Sequence, residues 1–158
     1  MLITNLSIVN LDNALEKIKW YCLRWRIEVF HKILKSGLRV EYCRLSTAKR
    51  LIRYLALMSI IAWRIFWITL VSRVAPNVSC LVFLENIEWK ILFRKLNPSK
   101  EIPKKIPTIK DVVIWIARLG GFLARKSDRD PGITHIWRGL KEFENILEGV
   151  EIAKDICG

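Results

Sequence analysis

The 158-residue chain is long enough to bury one core or two small ones. Lys and Arg outnumber Asp and Glu by 27 to 15, a net charge of +12, and the surplus is uneven: 13 basic against 4 acidic side chains in residues 1–75, 7 against 3 in 76–110, and 7 against 8 in 111–158. Such a field disfavours basic partners and favours a polyanion, with nucleic acid or an anionic membrane first, whereas the near-neutral C-terminal third suits protein association better than DNA.

Residues 2–9 alternate apolar and polar side chains in the manner of a β-strand and stop at Asn10. No second strand pattern follows, so this strand has no neighbour to pair its backbone, as though the chain began inside a domain. Asp12 or Asn13 can cap a helix that runs to Lys35 and stops at Gly37. A long apolar helix is expected over residues 47–72, ended by Pro76, and a third over 80–96. Residues 97–110 change character, with Pro98, Pro103 and Pro107 among Lys100, Lys104, Lys105 and Lys110, and read as a stiff basic linker. Helices over 109–119 and 134–147 follow, separated by Gly120-Gly121 and the polar turn 127–132. Gly120-Gly121 suits a tight crossing or turn, because no strand precedes it and no Lys-Ser/Thr follows as a phosphate loop requires. These last helices make a marginal core by themselves, so their faces are expected to pack on the first segment or on a second copy.

The stretch 54–72 is nearly long enough to span a membrane, but Arg64 stands in its middle, and an Arg there costs about 2.5–3.5 kcal/mol on insertion scales. A buried core helix whose Arg64 reaches a phosphate or carboxylate fits better, and no membrane partner is expected. Cys22, Cys43, Cys80 and Cys157 form no C-x-x-C pair, and His31 and His135 stand apart from them, so neither a zinc site nor a disulfide framework is readable. The first residues lack the charged start and apolar run of a signal peptide, which makes the cytoplasm the expected compartment.

Tyr21, Arg24, Glu28 and Lys35 are separated by two, three and six residues. On one uninterrupted helix, at about 100° per residue, they would share an arc of about 60°, placing a phenol, two cations and a carboxylate on one face. Most of the remaining positions are apolar, so this helix is expected to be packed on most sides and to open its polar seam into a cleft. The plainer reading of the same spacing is a row of exposed ion pairs contributing a few tenths of a kcal/mol.

With its spacing Y-(2)-R-(3)-E-(6)-K, this set resembles the signature of bacterial cut-and-paste DDE transposases of the Tn-five group, and the likeness continues through Val40-Glu41-Tyr42-Cys43-Arg44-Leu45. It returns at Ile116-Ala117-Arg118-Leu119-Gly120-Gly121-Phe122 and Ile136-Trp137-Arg138-Gly139, which look like that group's C-terminal dimerisation region; Leu140 stands where an aromatic would be expected. The resemblance implies a mainly α chain. Residues 1–96 would be the truncated end of a ribonuclease-H-like catalytic domain, one orphan strand plus helices; 97–110 the linker; and 111–158 the helical dimerisation region.

The resemblance also implies roles. Glu28 would be the third acidic ligand of catalytic magnesium, Tyr21 and Arg24 would hold a phosphate beside a flipped base, and Lys35 would contact the adjacent backbone, with Lys32 and Arg44 as further phosphate contacts. The first two catalytic aspartates of the family have no counterpart here, since only Asp12 and Glu16 precede Glu28. The expectation is therefore a transposase C-terminal fragment that binds DNA by salt-sensitive phosphate contacts, dimerises, holds no magnesium by itself and does not cut DNA alone. A second reading makes it an interaction protein that draws full-length transposase into inactive mixed dimers. A membrane-surface protein and a decayed gene product complete the alternatives.

Overall fold

The structure, a computed structural model, describes residues 3–157. It is mainly helical: α1 (Leu11–Cys22), α2 (Trp25–Lys32), a π-helical turn (Ile33–Gly37), a 3₁₀ turn (Val40–Tyr42), α3 (Ala48–Val74), a second 3₁₀ turn (Cys80–Val82), α4 (Asn86–Leu96), α5 (Ile109–Leu119) and α6 (Ile133–Cys157). Among the described residues no strand forms, and β pairing is limited to an isolated bridge between Ser79 and Thr108. The strand expected over residues 2–9 is thus corrected. Residues 3–9 are irregular and exposed, with no neighbouring strand to take their backbone groups, and Leu2 lies outside the described residues.

Local chemistry sets the helix starts. The Asn10 side chain, rather than Asp12 or Asn13, accepts the Asn13 N–H at 2.9 Å and caps α1. Glu88 accepts the Glu85 N–H at 2.7 Å ahead of α4, so the expected helix over 80–96 divides into a short turn and a capped helix. At α5, Thr108 and Asp111 exchange bonds reciprocally: Thr108 Oγ1 accepts the Asp111 N–H at 3.2 Å, and Asp111 Oδ2 accepts the Thr108 N–H at 3.0 Å.

The main core gathers Ile68 of α3, Cys80, Leu84, Trp89 and Leu92 around α4, Ile109, Val112, Val113, Ile116 and Ala117 of α5, and Ile136 and Phe143 of α6. Helices on both sides of the Pro-rich segment 97–110 therefore share one interior. That segment is pinned to it by backbone bonds, Cys80 N–H to the Pro107 carbonyl at 3.1 Å and Ile109 N–H to the Val78 carbonyl at 2.7 Å. The buried hydroxyls of Thr69 and Ser72 donate to the carbonyls of Ile65 and Thr69 at 2.7 and 3.0 Å, so α3 enters the core without orphaned polar groups.

The closest helix contact is between α5 and α6. A Cβ at Gly139 would overlap the Ile116 carbonyl, and one at Gly120 the His135 carbonyl, so only glycine permits the backbones to approach this far. Gly121, at φ +89°, turns the chain away from α5. A second, smaller core joins Ile33 to Ala62, Ile65 and Phe66, with Val29, Phe30, Leu34 and Trp137 around them, and ties the end of α2 onto α3 and α6.

The first half of α3 differs from the buried helix expected there. Its buried residues begin at Ala62. Residues 48–60 extend past the bundle with Ile52, Leu55, Leu57 and Ile60 exposed, because nothing among the described residues covers these side chains. Helix α3 is long and apolar enough to cross a membrane by length and composition, yet its second half is core. Arg64 is exposed and lies over the Phe83 ring at 5.7 Å, and no carboxylate of the described residues pairs with it.

Candidate functional site

The four residues of the polar seam do not lie on one uninterrupted helix. Between α1 and α2 the backbone tightens to i→i+3 bonds, Leu23 N–H to the Trp20 carbonyl and Arg24 N–H to Tyr21 at 3.0 Å each, then Ile27 N–H to Arg24 at 3.1 Å. Beyond α2 it widens, Leu38 N–H reaching the Ile33 carbonyl at 2.9 Å in an i→i+5 turn. A 3₁₀ step turns further per residue than an α step and a π turn less, so a face computed at a constant angle drifts. This is the physical reason the predicted stripe is not preserved.

Three of the four residues nevertheless meet. Arg24 Nη2 lies 3.0 Å from Glu28 Oε1, one helical turn on, and the guanidinium sits 5.7 Å from the centre of the Tyr21 ring. Lys35, within the π turn, bonds Glu41 Oε1 at 2.9 Å. Lys32 is exposed at the end of α2, and Arg44 is exposed in the irregular chain that follows the first 3₁₀ turn. The seam does not open into one common cleft: Arg24 and Glu28 face solvent, Tyr21 borders a hollow beside α1, and Lys35 borders a separate one with Glu41 and Tyr42. The Arg24 and Glu28 side chains remain 63% and 60% exposed, and α1 and α2 bury no residue. The helix that was expected to be packed on most sides shows water Leu15, Ile18, Trp20, Trp25 and Ile27.

Magnesium prefers octahedral oxygen coordination, usually from more than one carboxylate or phosphate. Here Glu28 faces a guanidinium, and no group of three His, Cys, Asp or Glu side chains converges among the described residues. The donors present do not make a magnesium site, and a metal at Glu28 would need carboxylates from outside these residues.

The second feature is apolar. Helix α6 continues well past residue 147, where the sequence pattern was expected to end. Its last buried residue is Phe143, and each of residues 151–157 is exposed, with Ile152 and Ile156 one turn apart on the same side. Their i, i+4 spacing, with no proline after Pro131, is the sequence signal that would have found them. A helix that leaves its core and still carries an isoleucine stripe presents a surface suited to another helix.

Cys80 belongs to neither feature. It is fully buried, and burial pushes its thiol above the ordinary value, so it behaves as a core residue and not as a nucleophile. All four cysteines are free thiols.

Comparison with known protein families gives a match over residues 60–157 to the family model described as the Transposase Tn5 dimerisation domain. The matched stretch runs from the exposed middle of α3 through the main core to the end of α6.

Proposed function

The chain belongs to the Tn5 transposase dimerisation-domain family, and from that premise we propose that it pairs with a second copy through the projecting end of α6 and contacts DNA through its basic N-terminal segment. The observation that carries the first half is the exposed Ile152–Ile156 stripe, on a helix that keeps its form for more than two turns after leaving the core. Isolated helical turns are marginal in water, and a partner helix would supply the burial this one lacks.

The second half rests on the Y-(2)-R-(3)-E-(6)-K spacing and on charge. We assign α1, α2 and the π turn to the acid-bearing end of a ribonuclease-H-like catalytic domain, with Tyr21, Arg24, Lys32, Lys35 and Arg44 as phosphate contacts and Glu28 as one ligand of a magnesium site completed elsewhere. When bound, the metal would activate the attacking oxygen and stabilise charge in phosphoryl transfer. What this chain's residues do is narrower. Arg24 holds the Glu28 carboxylate and leans on the Tyr21 ring, so a phosphate approaching Arg24 competes with Glu28 for the guanidinium. Alone, the chain binds duplex DNA with little sequence preference and leaves it uncut.

A second reading, capture of full-length transposase in inactive mixed dimers, is favoured by the same combination of an uncovered α6 stripe and a single seam carboxylate.

Sedimentation equilibrium tests the pairing. The intact chain should be dimeric at micromolar concentration, and Ile152→Asp with Ile156→Asp should be monomeric with unchanged helicity. A wild-type chain that stays monomeric throughout overturns the pairing. Incubation with duplex DNA and magnesium should yield no nicks, and nicks that Glu28→Ala abolishes would overturn the non-cutting reading.

A further inference from the structure

The sequence singled out Lys32 but gave no role to Arg39, Arg138 or Lys141. In the fold these four cations line one cleft of about 670 Å³ between the π turn and α6, walled by Trp137 and by the polar side chains of Ser36 and Thr134. Arg138 and Lys141 stand three residues apart on α6 and so share a face, while Arg39 is carried into the cleft at φ +52°, a left-handed backbone that only a tight turn explains.

The charges are unbalanced. Glu142 is the sole carboxylate of the cleft lining, and none of the four cations has a carboxylate within 4 Å among the described residues. Like charges held in one concavity repel, and an anion that enters relieves them. The cleft is also not a closed pocket for one phosphate. Ser36 and Arg39 continue into a neighbouring hollow lined by Tyr42 and by Lys35 paired with Glu41, so Arg39 joins the cleft to a second position and the two form a track.

We propose that this track binds the phosphodiester backbone of a nucleic acid, with Arg39, Arg138 and Lys141 as contacts beyond the seam. The C-terminal helix would then grip nucleic acid at its base while pairing at its far end. A phosphate ridge can enter a concavity that a flat lipid surface cannot, which favours a nucleic acid over a membrane. The inference rests on the DNA-binding reading for the identity of the polyanion, and on the cleft alone for its location.

The test is fluorescence anisotropy of a short labelled DNA duplex, titrated with the full chain between about 50 and 200 mM salt. Arg138→Gln with Lys141→Gln is compared with Lys104→Gln with Lys105→Gln, which removes the same charge from the Pro-rich segment; both retain wild-type helicity by circular dichroism or are replaced by the single variants. The cleft pair should weaken binding about tenfold and reduce the slope of log affinity against log salt by about 2, and the control should change affinity less than about twofold. Equal losses in both pairs, or no loss in the cleft pair while the wild type binds, overturn the cleft and leave the DNA-binding reading standing. A wild-type chain that binds no duplex overturns both. Loss of binding to vesicles of phosphatidylserine and phosphatidylcholine in the cleft pair, with DNA binding intact, also overturns the proposal and assigns the track to a lipid surface.

Discussion

The N-terminal helices and the α4–α6 core are built from similar proportions of apolar residues and end in opposite states. Helix α5 has Ile109, Val112, Val113, Ile116 and Ala117 at 2% exposure or less, whereas α1 and α2 bury nothing. The difference lies in what each meets. In the core, α5 is crossed closely by α6 and flanked by α3 and α4; over α1, among the described residues, lies the irregular segment 3–8, which leaves Ile18 and Trp20 beside an open hollow. An apolar stripe states that a face is to be covered, and only the rest of the assembly decides by what.

Substitution at the α5–α6 crossing should separate the two regions most. Gly139→Ala places a methyl group against the Ile116 carbonyl, where backbone and not a flexible side chain must give way. It should lower the unfolding free energy by about 3 kcal/mol or more, and Leu92→Ala, at a fully buried site, by about 2–5 kcal/mol. Leu15→Ala or Ile18→Ala should cost under about 0.5 kcal/mol each when measured by urea denaturation at concentrations where the chain is monomeric. A loss at Leu15 matching that at Leu92 would break the comparison, since it would mean that α1 is packed in solution.

Much of this division was legible. The helix over 109–119 has the bounds that its apolar period predicts, and the tight passage at Gly120 follows from the glycine pair. Where the reading departed from the structure, the reason was non-local. Residues 3–9 alternate like a strand, but alternation cannot create a partner strand. The seam was drawn on a helix of constant pitch, while the chain tightens at Leu23–Arg24 and widens at Ile33–Gly37, changes that periodicity does not encode. The basic cleft escaped because its cations come from segments about a hundred residues apart in sequence, brought together by the packing of Trp137 against Gly37 and Ile33.

Thiol labelling sharpens the comparison at intermediate scale. Cys22 is exposed at the end of α1 and Cys80 has no exposed surface. In the native chain Cys22 should react at nearly the rate of a free thiol, and Cys80 about a thousandfold more slowly, through opening of the core. The raised ionisation of Cys80 adds a pH dependence. An unfolded chain ionises this thiol first, so the stability gained by keeping it neutral is full below the ordinary thiol value and falls as pH rises toward the higher folded value. Urea midpoints should therefore fall on the alkaline side, and Cys80→Ala should flatten that decline. A Cys80 that reacts as fast as Cys22 would place both in the same loosely held state.

The smallest effect is expected at the seam, and it is the most discriminating for α1 and α2. With both partners of the Arg24–Glu28 pair more than half exposed, water screens their attraction. A double-mutant cycle with Arg24→Gln and Glu28→Gln should give a coupling of about 0.3–0.5 kcal/mol that fades as salt is raised. Repeating the cycle with bound duplex DNA tests whether a phosphate takes the guanidinium, because the coupling should then vanish as Arg24 turns from Glu28 to the ligand. A coupling above about 1 kcal/mol in the free chain would instead show the pair shielded from solvent by a partner lying across α1 and α2.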